Sequence, residues 1–190
     1  MRYIAMLLLS GLLTTSAFSQ SGITLQGTAG IGIPTDSDFS EGLNAGLALG
    51  GRFGYKVADN IELTAAITFN RFGVAIPDEE EFLFEKASII VVDDIDFELL
   101  GLRGGARYTT TPGGSVGFNG LVEVGMTRQQ VSTSFGTFGS EWDPALGVGA
   151  GVQYFFSPRA SVGIGPMFNM IFAEESYHDL DIITSVIVSL

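Results

Sequence analysis

The chain has 190 residues, no cysteine and a formal net charge of −12. These values suit one domain. They exclude disulfides and thiolate metal sites and argue against nucleic acid as a partner. No run of 18 or more apolar residues is present, so a spanning helix is not expected.

Arg2, the apolar run Ile4 to Leu13, and small residues at Ala17 and Ser19 read as a secretory signal peptide over residues 1–19, with the mature domain as residues 20–190. The first strand follows: Ile23, Leu25, Gly27, Ala29, Ile31 and Ile33 alternate with Thr24, Gln26, Thr28, Gly30 and Gly32. Pro34 to Glu41 reads as a polar loop. A hairpin comes next. Leu43, Ala45, Leu47, Leu49, Phe53, Tyr55 and Val57 share one parity, and after Ala58-Asp59-Asn60 so do Ile61, Leu63, Ala65, Ile67 and Phe69. A strand sends successive side chains to opposite faces, so each arm has one apolar and one polar or small face.

An acidic segment, residues 73–94, includes Asp78-Glu79-Glu80-Glu81, Asp93 and Asp94. Its oxygen ligands suit Ca²⁺ or Mg²⁺ in type, but it lacks the spacing of a calcium loop. A solvated loop is the simpler reading, and no metal is expected. The fourth strand covers residues 95–110, with an apparent phase slip at Leu99-Leu100 that suggests a bulge. Thr111-Pro112-Gly113-Gly114 is a turn. The fifth strand puts Val116, Phe118, Val122, Val124 and Met126 outside. Gln129 to Ser140 reads as a Ser/Thr/Gly loop. The sixth carries Leu146, Val148, Ala150, Val152, Tyr154 and Phe156, and Ser157-Pro158-Arg159 turns the chain. The seventh carries Val162, Ile164, Pro166, Phe168, Met170 and Phe172. Glu174 to Asp179 reads as an acidic loop, and Leu180 to Leu190 as the eighth strand.

The expected fold is therefore all-β: an eight-stranded antiparallel up-and-down transmembrane β-barrel, with short turns at one end and long loops at the other. Three features favour lipid as the cover of the apolar parity. No amphipathic helix is left over to cover it. Aromatic residues gather near the turns (Phe53, Tyr55, Tyr108, Phe118, Tyr154, Phe156) and again near the long loops (Phe69, Phe168, Phe172), as interfacial belts do. The opposite parity is Thr, Asn, Gln, Gly and charge. A lipocalin-like soluble barrel would reverse this arrangement.

Gly149-Ala150-Gly151-Val152-Gln153-Tyr154-Phe155-Phe156, leading into Ser157-Pro158-Arg159, resembles strands of the small OmpA-like and OmpW-like outer-membrane barrels of Gram-negative bacteria. The resemblance covers the mature chain and implies an outer-membrane location. It also implies contact with lipid and lipopolysaccharide, insertion by the barrel-assembly machinery, and a monomer. Many such barrels end in an aromatic residue, where this chain has Leu190. No peptidoglycan-binding domain is expected beside the barrel, so the cell-wall anchoring role of some relatives is not carried over.

Parity places Arg52, Lys56, Glu62, Arg103, Arg107 and Glu123 in the lumen. Lys56 with Glu62, and Arg103 with Glu123, are the expected ion pairs. Side chains just fill an eight-stranded barrel, so a plugged lumen is expected. The role is then structural or one of surface interaction; the alternatives are a narrow channel for small solutes and a lipid A-modifying enzyme. Gly147-Val148-Gly149-Ala150-Gly151 lacks the helix a nucleotide site needs, so no cofactor is expected. Ser176, His178 and Asp179 lie together in sequence, but adjacency is not a triad, and no catalytic residue is assigned.

Overall fold

The computed structural model describes residues 22–36, 42–74, 95–110, 114–133, 136–173 and 176–190. Eight strands form a closed barrel with each strand paired to its sequence neighbours: β1 Ile23–Pro34, β2 Gly46–Ala58, β3 Ile61–Gly73, β4 Asp96–Thr110, β5 Val116–Thr133, β6 Gly136–Ser157, β7 Ala160–Ile171 and β8 Tyr177–Ser189. β1 closes on β8 from Thr24↔Ser189 to Pro34↔Asp179. Closure leaves no sheet edge within the barrel wall, which is what hydrocarbon requires of a polar backbone. The expected signal peptide and the acidic run Asp78 to Glu81 with Asp93 and Asp94 lie outside the described residues.

The apolar parity faces outward throughout. Val124 is 62% exposed and Ile67 57%, while their strand neighbours Glu123 and Ala66 are buried. A soluble protein does not leave such a continuous apolar belt uncovered. Phe53, Tyr55, Tyr108, Phe118, Tyr154 and Phe156 stand exposed toward the short turns, and Trp142, Phe168 and Phe172 toward the other end.

Three expectations need correction. β4 has no bulge at Leu99-Leu100, because its register is continuous against both β3 and β5. The alternation breaks in the sequence because the inward face itself turns apolar there: Phe97 and Leu99 are buried inside. The segment from Gln129 to Ser140 is a continuation of the β5–β6 hairpin, paired to Thr133↔Gly136 past a bulge at Gln129/Val131. The ladder satisfies the backbone there without the alternation that marks a strand in sequence. Gly136, at φ 144, takes the positive φ with which β6 opens. Finally, β8 begins at Tyr177, so Asp179 belongs to the barrel wall and is 1% exposed.

One strand interior carries a proline. β7 pairs with β6 at Gly149↔Met167 and again at Val152↔Ile164, with no pairs between. Pro166 sits in that gap and has no N–H to donate. Its other side stays in register with Ile182 of β8.

Candidate functional site: the layered lumen

The inward parity builds a lumen in layers. Nearest the long loops is an apolar layer of Phe72, Phe97, Leu99, Ala145, Ile171 and Tyr177. The Tyr177 ring meets Phe72 edge-on at 6.2 Å and Phe97 at 5.9 Å, the geometry aromatic quadrupoles prefer.

Below it lies a polar strut. Asn70 of β3 donates to Asp181 of β8 at 3.0 Å. Asn169 of β7 donates to Asp181 at 2.9 Å and also to Asp179. The Asn169 carbonyl oxygen accepts from Arg103 of β4. The acids facing Arg103 are Asp179, Glu123 and Asp181. Gly147 admits this arrangement, since a Cβ there would lie 2.7 Å from an Arg103 nitrogen and 2.5 Å from Met167 Cε.

The next layer spans the barrel from β2 to β5. Arg52 grips Glu123 with two bonds, Nε to Oε1 at 2.7 Å and Nη2 to Oε2 at 2.8 Å. Thr64 adds a bond to the same carboxylate at 3.2 Å. Gln26 accepts from both Arg52, at 3.1 Å, and Arg107, at 2.6 Å, linking this layer to the one below. There Arg107 donates to Glu62 at 2.6 Å, a directly opposed pair between β4 and β3. Gly54 makes room for the Glu62 carboxylate, because a Cβ would lie 2.0 Å from Oε1.

Arg52, Glu62, Arg103, Arg107 and Glu123 are thus buried inside. Lys56 is directly opposite Glu62 in register but stands exposed at the short-turn mouth. Glu62 pairs with Arg107 instead. A lysine ammonium stays hydrated at little cost, whereas the guanidinium fork is suited to the buried pair. Arg103 is opposite Gly125, and Glu123 is opposite Gly105, so those two are not cross-strand partners, and Arg52 takes the carboxylate.

Sequence reasoning missed Asp179, Asp181, Asn70, Asn169 and Gln26. Charge balance carries the missing signal. Of the six expected lumen residues, the five that are buried hold three arginines against two carboxylates, an imbalance that a closed, low-dielectric interior does not tolerate. Asp179 and Asp181 lie on the parity opposite Ile182 and Thr184 and face Arg103, the arginine left without a glutamate.

Between the layers the described cavities are small. One of about 40 Å³ lies among Gln26, Arg52, Arg107 and Leu121. Another of about 20 Å³ lies among Thr28, Asn70, Asn169 and Asp181. These volumes suit single waters or very few. At the short-turn mouth the lumen widens to a bowl of about 430 Å³.

Ser176, His178 and Asp179 do not converge. Asp179 is buried inward, whereas the His178 ring stacks outside on Phe168 at 5.9 Å and its Nδ1 lies 3.4 Å from Asp36. Neighbours in a strand point to opposite faces. The Gly147 to Gly151 run lies within β6, with no helix beside it among the described residues. Among the described residues no cluster of metal-ligating side chains is present.

The outer-membrane protein β-barrel domain family matches residues 5–182. No curated protein matches the chain. Among solved structures, Neisserial surface protein A is similar with a TM-score of 0.68 at 20% identity, covering 90% of this chain and 98% of that one. Ail, the attachment invasion locus protein of Yersinia pestis, is similar with a TM-score of 0.50 at 13% identity, covering 88% and 99%. The structure of Ail in complex with the heparin analogue sucrose octasulfate gives 0.51 at 15%, again over 88% and 99%. At these identities the likeness to solved structures concerns the fold. With its closed eight-stranded wall, apolar outside and polar within, this chain belongs to the outer-membrane protein β-barrel family.

Proposed function

We propose that the protein is an integral barrel of the bacterial outer membrane with a structural or surface-interaction role and a lumen closed to solutes. The carrying observation is the stack of three filled layers: the aromatic layer, the Asn70–Asp181–Asn169–Arg103 strut and the Arg52–Glu123 clamp. Each spans the lumen, and the cavities between them hold only about 40 and 20 Å³.

In this reading residues 1–19 direct secretion, the barrel-assembly machinery inserts the mature chain, and both termini face the periplasm with the short turns. The long loops face outward, and the barrel is a monomer surrounded by lipid and lipopolysaccharide. The sequence of the outer loops is acidic, so lipopolysaccharide phosphates are met through bridging divalent cations. Ail was solved with a heparin analogue. A polyanion of that kind is a poor partner for a chain of net charge −12. A basic or neutral surface suits it better. The protein acts without catalysis.

Planar-bilayer recording of the purified barrel tests the proposal. A silent bilayer at high protein load is expected. Steady, discrete unitary currents would overturn the closed lumen and favour a narrow channel.

A further inference from the structure

The bowl at the short-turn mouth goes beyond this reading, because a closed lumen has no need of it. Its volume, about 430 Å³, lies in the range of small-molecule sites. Its charge is unlike the rest of the chain. Only nine residues of the sequence are Lys or Arg against 21 Asp or Glu. Three of those nine, Lys56, Arg107 and Arg159, line this one bowl, with Asp59 and Glu62 as its acids. Glu62 is engaged by Arg107. Lys56 and Arg159 make no side-chain ion pair among the described residues, and both stand exposed at the rim.

The floor is closed. Gln153 is 4% exposed and Arg107 5% exposed, and their side chains are engaged below the bowl, Arg107 with Gln26 and Glu62 and Gln153 with Ser161. What enters the bowl therefore meets the two exposed, unpaired cations at the rim.

We propose that this bowl binds a small oxyanion-bearing solute, a carboxylate or a phosphate, between the rim cations Lys56 and Arg159. Guanidinium and ammonium groups recognise both anions. In the orientation proposed above, the bowl opens to the periplasm.

The test is calorimetric titration of the folded barrel in detergent with succinate and, separately, inorganic phosphate. Saturable binding of either at millimolar concentration is expected and identifies the anion class. Lys56→Ala with Arg159→Ala should weaken it by about tenfold, and Asp59→Asn should tighten it. Both rim residues are exposed, so the variants keep the barrel, checked by its migration on unheated gels. Absence of saturable binding to both probes, or binding indifferent to the double substitution, overturns the proposal. Bilayer conductance is a separate readout, so failure here and failure of the closed lumen are distinguishable.

Discussion

Removing Glu123 should be among the most damaging single changes in this barrel. Its side chain is 0% exposed, and Arg52, at 7%, has no other carboxylate in hydrogen-bond reach among the described residues. Glu123→Ala leaves a buried guanidinium whose remaining partner is the Gln26 oxygen. Breaking a buried pair from one side costs about 3–5 kcal/mol, because the survivor stays desolvated and unneutralised. With a urea slope of about 2 kcal/mol per molar, the midpoint of unfolding should fall by roughly 1.5–2.5 M. The double variant Arg52→Met with Glu123→Leu removes both charges at similar volume. It should recover most of the loss, since an apolar replacement of a buried pair is commonly neutral or better. Equilibrium urea unfolding in detergent micelles, followed by Trp142 fluorescence, measures all three. An unchanged midpoint in Glu123→Ala would refute the clamp. A double variant as unstable as the single one would show that packing, not charge, holds this layer.

Gly54→Ala should cost about 1–3 kcal/mol, because its Cβ would strike the Glu62 carboxylate and the Thr24 hydroxyl. Gly51→Ala, outward with nothing within 4 Å, should be nearly neutral in the same unfolding assay. Val124→Arg, at a site 62% exposed in the apolar belt, should destabilise the barrel in phospholipid vesicles by about 2–4 kcal/mol. Val57→Arg, beside the short turn, should cost only about 0–1 kcal/mol. Equal penalties at the two positions would mean that no hydrocarbon gradient surrounds the wall.

The architecture was legible because one parity is apolar along every strand and Pro-Arg, Asp-Asn or Pro-Gly breaks the pattern between them. Legibility failed where a rule of alternation met a different local demand. Phe97 and Leu99 are apolar and inward, so the inner face of β4 imitates a slipped register. The β5–β6 extension lacks alternation, yet its backbone pairs in the same way. Asp179 reads as the end of an acidic loop and Asp181 falls within the eighth strand without a role, although their parity and the surplus of lumen arginines place both inside. The choice of partner was not readable at all. Arg52 reaches Glu123 three strands away, across the closed lumen, and neither sequence separation nor cross-strand register encodes that distance. Parity assigns Lys56 inward, but its position along the strand puts it at the mouth, in water.

Because the chain has no cysteine, single cysteines can be placed along β5 and spin-labelled without background, then examined in phospholipid vesicles. Collision with molecular oxygen, which concentrates in hydrocarbon, should peak at Val122, Val124 and Met126 and fall at the inward positions Leu121 and Thr127, while a water-soluble nickel chelate should reach neither set. If the nickel chelate quenched the even positions as well as oxygen does, bulk water would be touching the greasy side of the wall, and the assignment of lipid to that side would be wrong.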